Sequence, residues 1–164
     1  MNWFKIAQSN ITDKIKKILK NHSFVQKLMN DYGIPLDEID KYLEIEIKEL
    51  DGKNAEGNGR KITLDKELFK NDFFHDNFHF VIHEFFHWLK RRYEKKFYFN
   101  DTEEIQSFVL AITWEMINNK SKDHIIASLY PIVKNQFNNE NKAEEIFNKM
   151  LEEAEKLHQV YLKK

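Results

Sequence analysis

The sequence predicts an α+β fold that is mostly helical and has a small β-sheet or hairpin toward the N-terminal side. Over most of the 164 residues, apolar side chains recur at steps of three and four, which is typical of amphipathic helices. One stretch, 43–47, instead alternates apolar and charged residues, and most of the glycines follow directly after it. With 41% hydrophobic residues, the chain is long enough to bury a core as a single domain, 1–164.

Two helices are predicted within residues 1–33. The first covers about 9–21, and its apolar residues at helical spacing are Ile11, Ile15, Ile18 and Leu19. The second carries Phe24 to Met29 and ends near Gly33, which can adopt a left-handed cap before Pro35 prevents continuation.

A β-hairpin is predicted over residues 41–65. Leu43, Ile45 and Ile47 alternate with charged residues, as in a half-buried strand. The segment DGKNAEGNGR, 51–60, holds three of the four glycines and is expected to form a turn or long hairpin loop. Residues 61–64 are expected to form the return strand.

Helical spacing returns after residue 73. We expect a helix over about 73–93 and a second over about 102–118, and together these form the segment 73–118 that carries the candidate site. Residues 122–164 predict further helices, with a bend where Pro131 removes one backbone hydrogen bond.

Composition excludes several classes of function. The 26 basic and 27 acidic residues give a net charge of −1, which provides no electrostatic reason to expect nucleic acid or an anionic membrane as a partner. The basic cluster KRRYEKK, 90–96, is better explained by favourable placement at a helix C-terminus. The absence of cysteine excludes disulfides, thiolate ligands and cysteine nucleophiles. With no signal peptide or transmembrane segment recognised, we expect a cytoplasmic monomer.

Four histidines, at positions 75, 79, 83 and 87, each follow the last by four residues. On a helix this spacing places the four histidines in one stripe, and the residues on the other faces of the same helix are largely apolar. The helix is therefore expected to be buried on most sides, and buried imidazoles need partners because an unsatisfied polar group is costly there.

The second pair lies in an HExxH sequence, His83-Glu84-Phe85-Phe86-His87. Imidazoles one helical turn apart can both reach one tetrahedral zinc ion, so we expect one Zn²⁺ per chain. Glu84 points about 100° away and can reach a zinc-bound water as its general base. His79 is expected to line the site and His75 to be partly solvated. The alternative is that His83 and His87 are structural histidines.

A third zinc ligand is expected from the following helix. The chain does not continue in the HExxHxxGxxH pattern, in which a third histidine follows, because Lys90 and Tyr93 occupy the glycine and histidine positions. No cysteine is present either, so a carboxylate is the natural candidate. Glu103, Glu104 and, more distantly, Glu115 are available. Glu104 lies about 95° from the centre of that helix's apolar face and Glu103 about 165°, so Glu104 is preferred and Glu103 is expected to face solvent.

Helix capping offers another role for these glutamates. Asn100, Asp101 and Thr102 can each cap the helix, and a capping box would join Asp101 to Glu104 or Asn100 to Glu103. If Asn100 is the cap, Glu103 completes the box and Glu104 is left for the metal.

HEFFH followed by a glutamate-bearing helix resembles the gluzincins, zinc metallopeptidases with two histidines and a glutamate as ligands. The short chain is similar to the small single-domain members, the minigluzincins. The segment DTEEIQSFVLA, 101–111, resembles their third-ligand segment, and Glu104-x-x-Ser107 is similar to the Glu-x-x-Ser of thermolysin-like enzymes. The match covers about 83–111, with a looser one back to residue 43.

The resemblance implies a zincin-like domain in which His83, His87 and Glu104 bind zinc, and Glu84 acts as base and then as acid. It also implies a peptide or protein substrate that pairs with an edge strand at 62–64. The N-terminal helices would either pack on the domain or act as an inhibitory pro-segment, as in some minigluzincins.

Three functional hypotheses follow. The first is a zinc-dependent endopeptidase. The second is a zincin-like regulatory or binding protein that holds zinc but cleaves few or no substrates. Its support is Phe108, which stands where thermolysin-like enzymes have an aspartate that orients a histidine ligand. The third is a metal-free helical interaction module with structural histidines.

Overall fold

The computed structural model describes residues 3–93, 102–137 and 139–162. In chain order its elements are α1 (Trp3–Asn21), α2 (Ser23–Asp31), α3 (Glu38–Tyr42), β1 (Glu44–Lys48), β2 (Ala55–Gly57), β3 (Lys61–Asp65), a 3₁₀ helix (Lys66–Phe69), α4 (Phe73–Asp76), α5 (Phe78–Tyr93), α6 (Glu103–Ile117), α7 (Lys122–Gln136) and α8 (Glu140–Leu162). The predicted fold class, α+β and mostly helical with a small sheet, is confirmed. The chain divides into two compact units, a first unit of residues 1–96 and a second of residues 97–164.

The end of α2 follows the sequence-based expectation closely. Gly33 has a φ of +67°, in the left-handed region where residues with a side chain are disfavoured. The Gly33 N–H donates to the Asn30 carbonyl at 3.0 Å, and the Ile34 N–H donates to the Met29 carbonyl at 2.9 Å. This pair of bonds is a Schellman motif, which satisfies the last carbonyls of the helix and reverses the chain toward α3.

The sheet corrects the predicted hairpin. Its strand order is β1-β3-β2, with β1 parallel to β3 and β2 antiparallel to β3. The expected pairing of the first and last strands as a hairpin over 41–65 is therefore wrong. The segment 51–60 is also not a simple loop, because β2 lies inside it and forms the hairpin with β3. Four consecutive residues of β3, 62–65, are buried, as expected for a central strand with both faces covered.

The edge strands are consequently β1 and β2. The expectation that residues 62–64 form an edge is wrong, because β3 is hydrogen-bonded on both sides. Helix α1 packs on β1, where the Gln8 side-chain amide donates to the Ile47 carbonyl at 2.8 Å. That contact satisfies an outward-facing backbone group of the β1 edge.

A buried aspartate joins the end of β3 to the loop at Leu50 and to the start of the 3₁₀ helix. Asp65 is 5% exposed, and its carboxylate accepts hydrogen bonds from the backbone N–H groups of Leu50 at 2.6 Å and Glu67 at 2.7 Å. Both bonds favour the charged carboxylate, so they lower the pKa of Asp65 below its ordinary value.

Replacing Asp65 with asparagine is expected to lower the free energy of unfolding near neutral pH, and the difference from wild type should shrink in acid. A carboxyl group with a lowered folded pKa stabilises the fold above about pH 4, the pKa of the unfolded chain. That contribution is lost as the pH falls through the folded value. Urea unfolding of both metal-free proteins from neutral to acidic pH measures the difference. A difference independent of pH would contradict this role.

The helix predicted over 73–93 is interrupted. Helix α4 ends at Asp76 and α5 begins at Phe78, with Asn77 between them at a φ of −124°. The Asn77 side-chain amide donates to the Leu68 carbonyl at 3.0 Å, which ties this residue to the preceding 3₁₀ helix. Side-chain bonding of this kind competes with helix continuation, and it explains why the even four-residue spacing of the histidines does not form one helix.

Helix α5 packs against β2 and β3 and is anchored to α3 at its C-terminal end. The Tyr93 hydroxyl donates to a Glu38 carboxylate oxygen at 2.7 Å. Burial and this hydrogen bond to a carboxylate raise the pKa of Tyr93 to about 12. The Arg92 guanidinium lies 4.0 Å from the centre of the Tyr42 ring, a cation–π contact with the same helix α3.

In the residues that the structure describes, the second unit consists of helices α6, α7 and α8, which pack around an apolar core. The further helices predicted over 122–164 are α7 and α8, and Pro131 lies inside α7. Helix α8 contributes buried residues from Ala143 to Ala154. The buried core residues are Phe108, Val109, Ile112, Ile125, Leu129, Val133, Phe147, Met150, Leu151 and Ala154.

Candidate metal centre

The histidine-bearing face of α5 is buried together with the apolar faces. His79, His83 and His87 are 2%, 8% and 5% exposed, although imidazoles are polar and titratable. All residues of this helix from Phe78 to Leu89 except Phe80 are buried. The prediction of a helix that is covered on most sides is confirmed, and its three imidazoles lie below the protein surface.

His83 and His87 face each other across one helical turn. Their Nε2 atoms are 3.3 Å apart, with ring centroids 5.0 Å apart and ring planes at 66°. Two nitrogens bound to one tetrahedral zinc ion at about 2.0–2.1 Å stand about 3.3–3.4 Å apart, so the observed spacing fits a shared ion. The same distance also permits a hydrogen bond between the two rings, which a metal-free pair of structural histidines would use.

Glu84 lies beside this pair and is itself 8% exposed. Its Oε1 atom is 4.0 Å from the His83 Nε2 atom. The carboxylate therefore lies near the Nε2 atoms of the pair, where it can receive a proton from a molecule bound between it and a shared ion. That catalytic role remains a prediction.

A glycine that the sequence did not single out lies against Glu84. A Cβ atom placed on Gly57 would be 2.6 Å from the Glu84 Oε2 atom, closer than real Cβ contacts come. Gly57 is the last residue of β2, and its carbonyl accepts a hydrogen bond from Arg91 Nη1 at 3.0 Å. The only sequence signal was the pair of glycines at 57 and 59, which also suits an ordinary turn.

The other two histidines have different surroundings. His79 is buried on α5, and its ring lies 4.4 Å from the ring of Phe80 between centroids. His75 lies on α4 rather than α5, is exposed, and its Nδ1 atom contacts the Asp76 carboxylate at 2.6 Å. The expectation that His75 is partly solvated is confirmed, and it lies on a different helix from the other three.

In the second unit, α6 begins at Glu103 and is capped by Thr102, whose side chain accepts from the Ile105 N–H at 3.4 Å. The third helical position is therefore Ile105, so neither Glu103 nor Glu104 occupies the place that a capping box requires. Asn100 and Asp101, the other expected caps, lie outside the described residues. Glu103 and Glu104 are both half-buried, so the expectation that Glu103 faces solvent is wrong. Their burial therefore does not distinguish between them as candidates for the third metal ligand.

Further along α6 lie the remaining residues of the motif. Ser107 is fully buried, and its hydroxyl donates to the Glu103 carbonyl one turn earlier at 2.7 Å. Phe108 belongs to the apolar core of the second unit. Glu115 is buried but lies eleven residues after Glu104, about 16 Å along the helix axis, so the two carboxylates cannot share one ion.

Comparison with known proteins finds no family model, no curated protein and no solved structure that matches this chain significantly. The gluzincin resemblance therefore rests on the residues of the HExxH segment and of α6. In the described parts of the chain, none of the helices combines the length and apolar character needed to cross a bilayer.

Proposed function

We propose that this chain is a zinc-dependent metallopeptidase of gluzincin type that acts as an endopeptidase. The observation that carries the proposal is the spacing of 3.3 Å between two buried imidazole nitrogens on α5, with the buried Glu84 carboxylate beside them. A catalytic zinc site needs histidine nitrogens close enough to share one ion and a carboxylate near the bound water. His83 and His87 meet the first requirement, and Glu84 lies beside them.

His83, His87 and Glu104 would hold the metal. Each of the three offers one ligand atom, an imidazole nitrogen from each histidine and a carboxylate oxygen from Glu104. Two imidazoles and one carboxylate match a catalytic zinc site with a position left for water or substrate, and hard alkaline-earth ions prefer oxygen ligands instead. When bound, zinc would supply Lewis acidity to the scissile carbonyl and lower the pKa of the attacking water.

Glu84 would move the protons of the reaction. As general base it would take a proton from the attacking water while the new carbon–oxygen bond forms. As general acid it would then deliver that proton to the departing amine nitrogen as the peptide bond breaks. Its burial beside His83 supports this role, because such a position limits exchange of the proton with bulk water.

The substrate would be a peptide or protein segment in extended conformation. Strand β2 would be the pairing edge in place of the strand expected from the sequence. Asn54 and Asn58 are hydrogen-bonded to β3, so by alternation Ala55 and Gly57 direct their backbone groups away from it. Of these groups, the Gly57 carbonyl already accepts a hydrogen bond from Arg91. A segment that pairs there would run past Glu84, since Gly57 lies against that side chain.

A second candidate function is a zincin-like regulatory or binding protein with little or no turnover. The observation that favours it is the burial of Phe108 in the core of the second unit, where the thermolysin-like pattern has an aspartate. Without that carboxylate, a histidine ligand would lack one orienting hydrogen bond, and the loss of such partners typically costs about 10–100-fold in affinity or activity.

The test is peptide cleavage by the purified full chain in the presence and absence of a zinc chelator. We expect cleavage of casein or of a quenched fluorescent peptide library, its loss with 1,10-phenanthroline, and its return when zinc is restored. Bound zinc without cleavage would favour the binding protein, and the absence of both would reject both candidates. Cleavage unaffected by the chelator would also contradict the proposal.

A further inference from the structure

The β2–β3 hairpin contacts α5 at two glycines. At Gly57 the nearest neighbour is the Glu84 side chain. At Gly59 a Cβ atom would lie 3.3 Å from the carbonyl carbon of Arg91 and 3.3 Å from the backbone nitrogen of Arg92. Two glycines therefore let one hairpin approach the same helix closely, but only the first of them meets a side chain of the candidate site.

The contact at Gly57 leaves no room for a side chain. Besides the 2.6 Å approach to Oε2, a Cβ atom at Gly57 would lie 3.2 Å from the Cβ atom of Glu84 and 3.2 Å from its carbonyl oxygen. The carboxylate is the end of a flexible side chain and can rotate away, whereas the other two atoms are fixed by the helix. The expected response to any side chain at position 57 is therefore displacement of the Glu84 carboxylate.

The backbone at Gly57 is also held in place. It pairs with Ile62 in the sheet, and its carbonyl accepts the hydrogen bond from Arg91. The φ angle of Gly57 lies outside the left-handed region, so alanine can adopt this backbone conformation without strain. A substitution there therefore perturbs the contact with Glu84 without forcing a left-handed backbone, and its effect on the entropy of the unfolded chain is the same in both Glu84 backgrounds of a double-mutant cycle.

We propose that Gly57 is a positioning residue for the Glu84 carboxylate. Because Gly57 has no side chain, the carboxylate can occupy the space beside it and is held in that orientation. The contact itself is independent of metal and of catalysis, and its consequence for turnover rests on the proposed function. The β2–β3 hairpin would thus pack against the Glu84 carboxylate as well as pair with the substrate.

The contact is tested by a double-mutant cycle on the thermal unfolding of the full chain. Gly57→Ala is expected to lower the unfolding midpoint by roughly 2–10 °C in the wild-type background. In the Glu84→Ala background the loss should be smaller, because the carboxylate that the new methyl group meets is gone. Gly59→Ala is the matched control, and its effect should be the same in both backgrounds.

The positioning role is tested by kinetics and zinc content. Gly57→Ala should keep its zinc and its KM for a fluorogenic peptide while kcat falls, on the order of a hundredfold for a displacement of about 1 Å. Gly59→Ala should keep kcat near the wild-type value.

Equal losses of stability in both Glu84 backgrounds, or equal kcat values for the two glycine variants, would overturn the proposal. If the wild type cleaves no peptide, the proposed function fails, and the stability cycle still decides whether Gly57 holds Glu84 in place.

Discussion

Replacing Glu84 with glutamine is expected to reduce peptide cleavage by about 10²–10⁴-fold while one zinc ion per chain is retained. Glutamine has nearly the same size and shape, so the 8% exposed position beside His83 stays filled. It cannot accept the proton of the attacking water at neutral pH, however, and the general-base step is lost. Initial rates on a fluorogenic peptide, with zinc measured on the same samples, give both quantities.

The matched control is Glu145→Gln on α8. The Glu145 side chain is exposed and lies on a helix that carries none of the proposed site residues, so the variant makes the same chemical change outside the site and should keep its rate. Cleavage retained in Glu84→Gln would show that another group is the base. Loss of zinc in Glu84→Gln would indicate that Glu84 is a metal ligand, and would contradict the proposal that it acts only as the general base.

Replacing His83 with alanine is expected to remove the bound zinc. Loss of groups that only orient a ligand already costs about 10–100-fold in metal affinity, so loss of a ligand should cost more than about 100-fold. Zinc should fall from one ion per chain to a trace after dialysis, and cleavage should fall with it. Mass spectrometry under native conditions, together with elemental analysis, measures the stoichiometry.

His75→Ala is the control for zinc loss. His75 belongs to the same four-residue series but lies on α4 and is exposed, so this variant should keep its zinc. Because His83 is buried, the far-ultraviolet circular dichroism of the metal-free His83→Ala protein must match that of metal-free wild type. A folded His83→Ala protein that still holds one zinc ion would contradict the assignment of His83 as a ligand.

Most of the long helices and the histidine pair could be predicted from sequence because both depend on local spacing. Apolar residues at steps of three and four define α5 and α6, and the i,i+4 relation alone places His83 and His87 one turn apart. The end of α2 was predictable for a similar reason, since Gly33 before a proline is a local signal for a left-handed cap.

The parts that were missed depend on contacts between distant segments. Strand β2 is only Ala-Glu-Gly, too short to show alternation, and it is a strand because β3 lies beside it. The parallel pairing of β1 with β3 cannot be deduced from two strands separated by a glycine-rich segment. Gly57 is important only because β2 crosses Glu84, and no local pattern records that contact. The break at Asn77 likewise depends on the Leu68 carbonyl.

The most direct test of the metallopeptidase proposal is the number of zinc ions bound per wild-type chain, measured by native mass spectrometry on the purified, tag-free protein. The spacing of the His83 and His87 nitrogens predicts one ion, released by chelator and recovered when zinc is added. A chain that remains metal-free after zinc is added would contradict it, and the two imidazoles would then be a hydrogen-bonded structural pair.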